Sequence, residues 1–432
     1  MATTQGREEV AAERDEDVAE RGAEVLPATE YALETYLPAK AERRQGVALC
    51  LSGGGYRAAL FHLGALRRLN EQGILSQLDT ISSVSGGSLI AAHLADRLRP
   101  WPAPGTVVPD WEERVASPFR ALARQNIRTA PLLKRLLPWN WFQPSTAIDA
   151  LAESLERHLT SLKLTELPDR PQFIFCATDM TFGVNWEFTK AHIGDYQAGY
   201  LRPAPAWPVA RAVAASSCFP PVFDPMQLDL DPNQLRGGSV PLGATWDALV
   251  AALRLTDGGV YDNMALEPVW KSSRVVLVSN GGATFDFGSG TNWLTRLLRY
   301  NTITGNQAGA IRKRWLIAGF INGVMAGAYW GIGSAVKSYG EIAPPGYSKR
   351  LVEEVIAEIR TDLDAFSEAE IAVLENHGYL LADAAIQRHA RTLLQEPIAP
   401  LSIPHPRWMD EERVREVLEE SHRVRLPLGR MN

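Results

Sequence analysis

The stretch GVALCLSGGGYRAALFHLGALRRLNEQGILSQLDTISSVSGGSLIAAHL, from Gly46 to Leu94, limits the fold of this chain more than any other. Val47 to Leu51 is short, apolar and uncharged, the pattern of a strand buried on both faces of a parallel sheet. Three glycines follow, Gly53, Gly54 and Gly55. From Ala58 to Leu69 the apolar spacing turns helical, with Leu60, Leu63, Leu66 and Leu69 on one side and Gly73 as the stop. A second strand, Thr80 to Val84, runs into Ser85-Gly86-Gly87-Ser88 and another helical stretch. Strand, helix and strand in this order predict the α/β class, a three-layer α/β/α domain with a largely parallel central sheet.

The two turns make chemical sense together. Three glycines between strand and helix let the backbone fold back tightly and leave amide N–H groups at a helix N-terminus, a ready anion site. A serine on a sharp strand-to-helix turn between small residues has the form of a nucleophile elbow, here Ser83-Val84-Ser85-Gly86-Gly87. Ser83 takes the place of the first glycine and is still small, whereas Ser83 and Ser88 as nucleophiles would each have an isoleucine two places away. Ser85 is the candidate. A dinucleotide fingerprint can be laid on Gly53, Gly55 and Ala58, but the acid it needs at the end of the second strand is missing, and Ser85 stands there instead.

Gly53-Gly54-Gly55-Tyr56-Arg57-Ala58, the turn around Ser85, and a later Asp257-Gly258-Gly259 together resemble the three marks of patatin-like phospholipases. The resemblance implies an oxyanion and substrate-binding loop over Gly53, Gly54, Gly55 and Arg57, and a nucleophilic Ser85 supported by Ser83 and Gly87. It also implies a catalytic Asp257 followed by Gly258 and Gly259, acting with Ser85 as a dyad on lipid esters with no cofactor and no metal. Ser83 and Ala58 stand where many members have glycine, and both are small. The expected activity is phospholipase A or lysophospholipase hydrolysis through an acyl-enzyme. Acyl transfer to an alcohol, or a non-catalytic lipid-binding scaffold, are the alternatives.

The remaining chain refines this expectation. Residues 1–40 read as an acidic arm without the basic and apolar regions of a signal peptide. Residues 41–400 read as the hydrolase domain, with a helical insert around 111–165, and 401–432 as a charged helical tail. Within the insert, TAPLLKRLLPWNWFQP (Thr129 to Pro144) sets Leu, Trp and Phe beside cations. Packing on the core is the preferred reading of this patch, and a membrane–water interface the alternative. Asp179, at the end of the apolar run Gln172 to Thr178, is expected to cap a turn, and Asp262 to cap or orient its loop. Leu351 to Leu394 predicts amphipathic helix, with His377 and His389 at its surface. Leu316 to Val336 carries no charge but five glycines, and reads as a helix end followed by a strand rather than a membrane span.

A net charge of −6 points away from nucleic acid. Cys50, Cys176 and Cys218 are too far apart for a metal site and read as buried thiols of a reducing compartment. The expected partner is a lipid ester, with transient membrane-surface contact, from a cytoplasmic or peripheral location. Oligomeric state stays open. No histidine sits in a motif that would complete a triad. His377 and His389 follow Asp257 and His62 lies near the glycine loop, but the dyad is the preferred reading.

Overall fold

The computed structural model describes residues 43–135, 146–240, 243–282, 293–340 and 345–423. Strand β1 (Gln45–Leu51) leads through the glycines into α1 (Gly55–Glu71), then β2 (Thr80–Val84) and α2 (Gly86–Arg97). Helices α3 (Ser117–Ala123), α4 (Thr129–Arg135) and α5 (Thr146–His158) precede β3 (Gln172–Asp179). A meander of β4 (Val184–Phe188), β5 (Ile193–Asp195) and β6 (Gly199–Leu201) leads to α6 (Val209–Ser216), β7 (Met226–Gln227), β8 (Leu235–Arg236) and β9 (Arg254–Asp257). After the short α7 (Gly259–Asp262) come β10 (Ser273–Asn280), the long α8 (Trp293–Ile321), β11 (Ala326–Gly331) and α9 (Glu368–His389).

The sheet order is β11-β10-β1-β2-β3-β4-β5-β6-β8, with β9 paired to β3 and β7. Strands β11 through β3 are parallel, and the pairs beyond β3 are antiparallel. Side chains alternate across β1. Val47, Leu49 and Leu51 join the main core beneath α1, α2 and α9, while Ala48 and Cys50 face a smaller cluster closed by Met264, Leu266 and Leu316 of α8. The α/β class, the three layers and the helix-then-strand reading of Leu316 to Val336 are as expected.

The amphipathic helix expected across Leu351 to Leu394 is corrected. Only Glu368–His389 is α-helix in its C-terminal half, and every residue from Ala369 to Ile386 is buried. Its charged residues serve internal ion pairs, not a wet face. Glu370 pairs with Arg360, Glu375 with Arg120 at 2.7 Å, and Asp383 with Arg68 at 2.7 Å. His377 therefore sits mid-helix and buried rather than at the surface, with Nε2 donating to the Ile332 carbonyl at 2.8 Å. Helices α1 and α9 cross backbone to backbone, because a Cβ on Gly64 would strike the Glu375 carbonyl and one on Gly378 the Phe61 carbonyl.

Of the Leu/Trp-rich patch, α4 is described. Leu132 packs on the core, Leu133 is exposed, and Lys134 pairs with Glu153 at 3.1 Å. Trp139, Trp141 and Phe142 lie outside the described residues, as does the acidic arm.

Asp179 caps its turn as expected, accepting the Thr181 and Phe182 amides on Oδ1 at 2.6 and 3.3 Å. Asp195 does the same for Gln197 and Ala198, both at 2.7 Å. The two carboxyls are buried and hydrogen-bonded to each other, so desolvation raises both, the Asp179 charge raises Asp195 further, and the pair holds a proton between them. The unfolded chain releases that proton near the ordinary carboxylate value of ~3.9. Folding therefore takes up a proton above that value, and the pair's contribution to stability falls as pH rises. Melting curves of the wild type against Asp195→Asn should show a difference that grows toward the substituted protein as pH increases. A pH-independent difference would refute the shared proton.

Candidate active site

Ser85 and Asp257 lie 172 positions apart in the sequence, and one sheet edge joins them. Strand β4 occupies one edge of β3 from Phe175 to Asp179. Along the other edge β2 pairs as far as Val84 with Cys176 and then turns away at Ser85. Strand β9 enters from the opposite direction and takes the next place, Asp257 opposite Ala177. The two chain ends thus meet head to head on neighbouring residues of β3.

Ser85 adopts φ 50°, ψ −118°, a conformation that strains any residue with a Cβ. Its surroundings hold it there. Its N–H donates to Ser216 Oγ at 2.9 Å, and that hydroxyl donates to the Cys176 carbonyl at 2.6 Å. Ser88 Oγ bridges Ser216 Oγ and Ser83 Oγ at 2.9 and 3.1 Å, while Ser83 donates to the Ile174 carbonyl at 3.2 Å. The serine that replaces glycine at position 83 is therefore a strut under the turn. A Cβ at Gly86 would strike the Gly55 backbone, and one at Gly87 the Leu51 carbonyl, so the two loops pack directly on each other.

Asp257 is buried at the end of β9. Its N–H donates to the Cys218 carbonyl at 3.0 Å, and its carbonyl accepts Thr178 Oγ1 at 2.8 Å. Carboxylate Oδ1 accepts the Gly259 amide at 2.7 Å, whereas Oδ2 is buried without a bond of regular geometry. Desolvation pushes this carboxyl up to about 7, partly offset by the Gly259 amide and by the neighbouring Ser85 hydroxyl. Gly258 fits against the Cys176 carbonyl. Asp262 turns away and accepts the Met264, Leu266 and Glu267 amides, the capping role expected of it.

In the glycine loop Gly54 (φ 139°) and Gly55 (φ 58°) occupy backbone conformations that L side chains rarely adopt. Gly53 donates its N–H to the Asn263 carbonyl at 3.0 Å. The Gly54 and Gly55 amides have no protein acceptor among the described residues. Arg57 holds the loop from behind, with its guanidinium donating to the carbonyls of Gly281, Ala357 and Ile359. It is 3% exposed, and burial lowers its pKa to about 10, so it stays charged near neutrality.

His62 lies under the loop. Nε2 meets the Ser52 carbonyl at 3.0 Å, which can only accept, so Nε2 carries the proton and Nδ1 accepts from Ser279 Oγ at 2.7 Å. Burial lowers the ring to about 4 and keeps it neutral. Every other histidine is engaged elsewhere: His93 with Val115, His158 with Ser154, His192 with Glu187, His377 with Ile332, His389 with Tyr339, His405 with Glu375 and His422 with Glu419.

Four supporting positions escape sequence reasoning. Ser216 holds the Ser85 amide, Asn263 engages Gly53, Ser52 accepts the Gly281 amide, and the Asp362 carbonyl accepts the Tyr56 amide at the start of α1. Asn263 closes the turn that begins at Asp257, and Ser216 ends the alanine-rich α6. Nothing in their spacing distinguishes them from common turn residues.

The model of the family described as patatin-like phospholipase matches residues 49–270, just over half of the 432-residue chain. Among solved structures, human GIVD cytosolic phospholipase A2 is similar at 13% identity and a TM-score of 0.47, over 90% of this chain and 64% of that one. The same enzyme bound to methyl γ-linolenyl fluorophosphonate gives 14% identity and a TM-score of 0.45, again over 90% and 64%. VipD from Legionella pneumophila is similar at 13% identity and a TM-score of 0.32, over 80% of this chain and 67% of that one. The chain thus spans less than two thirds of the human enzyme's length. No curated protein sequence matches it. The family match runs from the end of β1 past β9, taking in both turns and the Asp257 segment, and on that match the chain belongs to the patatin-like phospholipase family.

Proposed function

We propose that this protein hydrolyses carboxylic esters of lipids, in the manner of a phospholipase A or lysophospholipase, with Ser85 and Asp257 as a catalytic dyad. One observation carries the reading: a serine on a strained turn neighbours a buried carboxyl that desolvation pushes up to about 7, beside two glycine amides with no acceptor among the described residues. Asp257 accepts the Ser85 proton as Oγ attacks the ester carbonyl. The developing oxyanion is received by the Gly54 and Gly55 amides, since the Gly53 amide is already bonded. Asp257 returns its proton to the departing alcohol, leaving an acyl-Ser85. Water, deprotonated by the same carboxylate, then releases the fatty acid and restores the serine. An ordinary aspartate is too weak a base for this task. Burial brings Asp257 into the range where proton transfer near neutral pH is efficient.

The substrate in this reading is a lipid ester at a membrane surface. The buried free thiols Cys50, Cys176 and Cys218 support a reducing, cytoplasmic setting. A fluorophosphonate probe should label the purified protein stoichiometrically, and the Ser85→Ala protein not at all. Equal labelling of both would end the serine-nucleophile reading. Turnover across phospholipid, lysophospholipid and triacylglycerol esters then identifies the preferred class.

The oxyanion assignment has its own test. Gly54→Val places a β-branched side chain at φ 139°, with its Cβ 2.9 Å from the Gly281 carbonyl. Turnover should drop about 100-fold or more, the scale of losing one oxyanion donor. Unchanged turnover in a protein folded by circular dichroism would make the loop a turn and nothing else.

A further inference from the structure

We infer that helix α8 is the surface by which this protein docks on an anionic lipid bilayer, an inference that rests on the lipid-hydrolase reading and names how that site would reach its substrate. The helix runs 29 residues, WLTRLLRYNTITGNQAGAIRKRWLIAGFI, without a single acidic residue and with five cations, in a chain whose net charge is −6. It is also turned inside out. Among its described side chains only Leu316 is buried, while Tyr300 is 62% exposed, Ile303 41%, Ile311 40%, Trp315 55% and Ile321 79%.

Helical spacing places Tyr300, Ile303, Ile311 and Ile321 along one outer stripe, with exposed Arg296 and Arg314 among them. Leu316, on the opposite side, is the buried residue that seats the C-terminal half of the helix. Near the C-terminal end, Ala310, Lys313, Arg314, Ile317, Ala318 and Ile321 line an apolar groove of about 460 Å³. Trp315 stacks on Trp270 at 5.9 Å, and Lys271 lies over the Trp270 ring.

Apolar surface of this extent marks an interaction site, and its charge selects the occupant. A second copy related by a two-fold axis would set these cations against their own images. Anionic headgroups complement Arg296, Lys313 and Arg314, while Ile, Tyr and Trp enter the boundary beneath them. No described helix is long and apolar enough to cross a membrane, so α8 lies on the surface.

The inner side of α8 is fastened to the segment that carries Asp257. Arg312 pairs with Glu267 at 2.6 Å, donates to the Tyr261 carbonyl at 3.4 Å and covers the Tyr261 ring. Tyr261 belongs to α7, directly after Asp257-Gly258. Docking through α8 therefore holds the Ser85–Asp257 site close to the lipid.

The test is sedimentation with phosphatidylcholine vesicles, with and without phosphatidylserine, at low and high salt. The wild type should bind the phosphatidylserine vesicles and release them as salt rises. Arg296→Gln/Lys313→Gln/Arg314→Gln should weaken binding about 100-fold. Tyr300→Ser/Ile303→Ser/Ile321→Ser should weaken it on both vesicle types. Both variants change exposed side chains and should keep wild-type turnover of a soluble short-chain ester. Unchanged binding in both variants overturns the inference, as does a wild-type dimer that the apolar variant dissolves, since a second copy then covers the face. A wild type that binds through α8 yet turns over no ester supports the docking surface and refutes only the hydrolase reading.

Discussion

Ser85→Ala is expected to abolish ester hydrolysis, lowering turnover by about 10⁴-fold or more while leaving the fold intact. The hydroxyl adds almost no packing. What holds the elbow is the Ser85 amide on Ser216, together with the contacts of Gly86 and Gly87, and none of these involves Oγ. Alanine also meets the same positive φ as serine, so the strain of the turn is unchanged. Purified variant and wild type should therefore give the same circular dichroism and a melting temperature within a few degrees. Wild-type turnover in the alanine variant would remove Ser85 from the chemistry.

Asp257→Asn should be close to inactive and, at the same time, no less stable. The side chain is nearly isosteric and still accepts the Gly259 amide, but it cannot take up a proton. The stability sign follows from linkage. A carboxyl raised to about 7 from an ordinary value of 3.8 is protonated in the folded protein at pH values where the unfolded chain has already ionised. Its contribution falls as pH rises across that window, by at most about 4 kcal/mol once both states are ionised. The asparagine variant should therefore melt above the wild type at pH above ~7, with the gap closing as pH falls toward ~4. For the wild type, kcat/KM should rise with pH through about 7 as the base ionises. Single alanine replacements at His62, His93, His158, His192, His377, His389, His405 and His422 should each leave substantial turnover. His62→Ala would show the largest effect of the eight, because it frees the Ser52 carbonyl beneath the loop. A histidine variant as inactive as Asp257→Asn would replace the dyad by a triad and identify the base.

Local features were legible without coordinates because local physics sets them. The uncharged run at Val47, the triple glycine, the leucine spacing of α1 and the serine turn after Val84 each depend on residues a few positions apart. Backbone freedom and hydrophobic periodicity act at that range. The small residues around Ser85 likewise expose a turn that only small residues can make. The chain's own order of amino acids was thus enough for the β-α-β unit, the α/β class and the candidate turns at Gly54, Gly55 and Ser85, while Asp257 was a candidate through the resemblance to patatin-like phospholipases.

Tertiary structure decided what joins them. The meeting of Ser85 with Asp257 depends on β9 entering the β3 edge where β2 leaves it, a matter of sheet order and register across 172 positions. The division of labour in the glycine loop depends on Asn263, whose carbonyl takes the Gly53 amide and leaves the next two. Helix α9 misleads for a related reason. Glu370, Glu375 and Asp383 read as solvent-facing charges, and only the arginines brought in from Arg360, Arg120 and Arg68 make their positions interior ones. A charge pattern in sequence carries no record of whether its counter-charge is water or a distant side chain, because burial is a property of the whole packed chain.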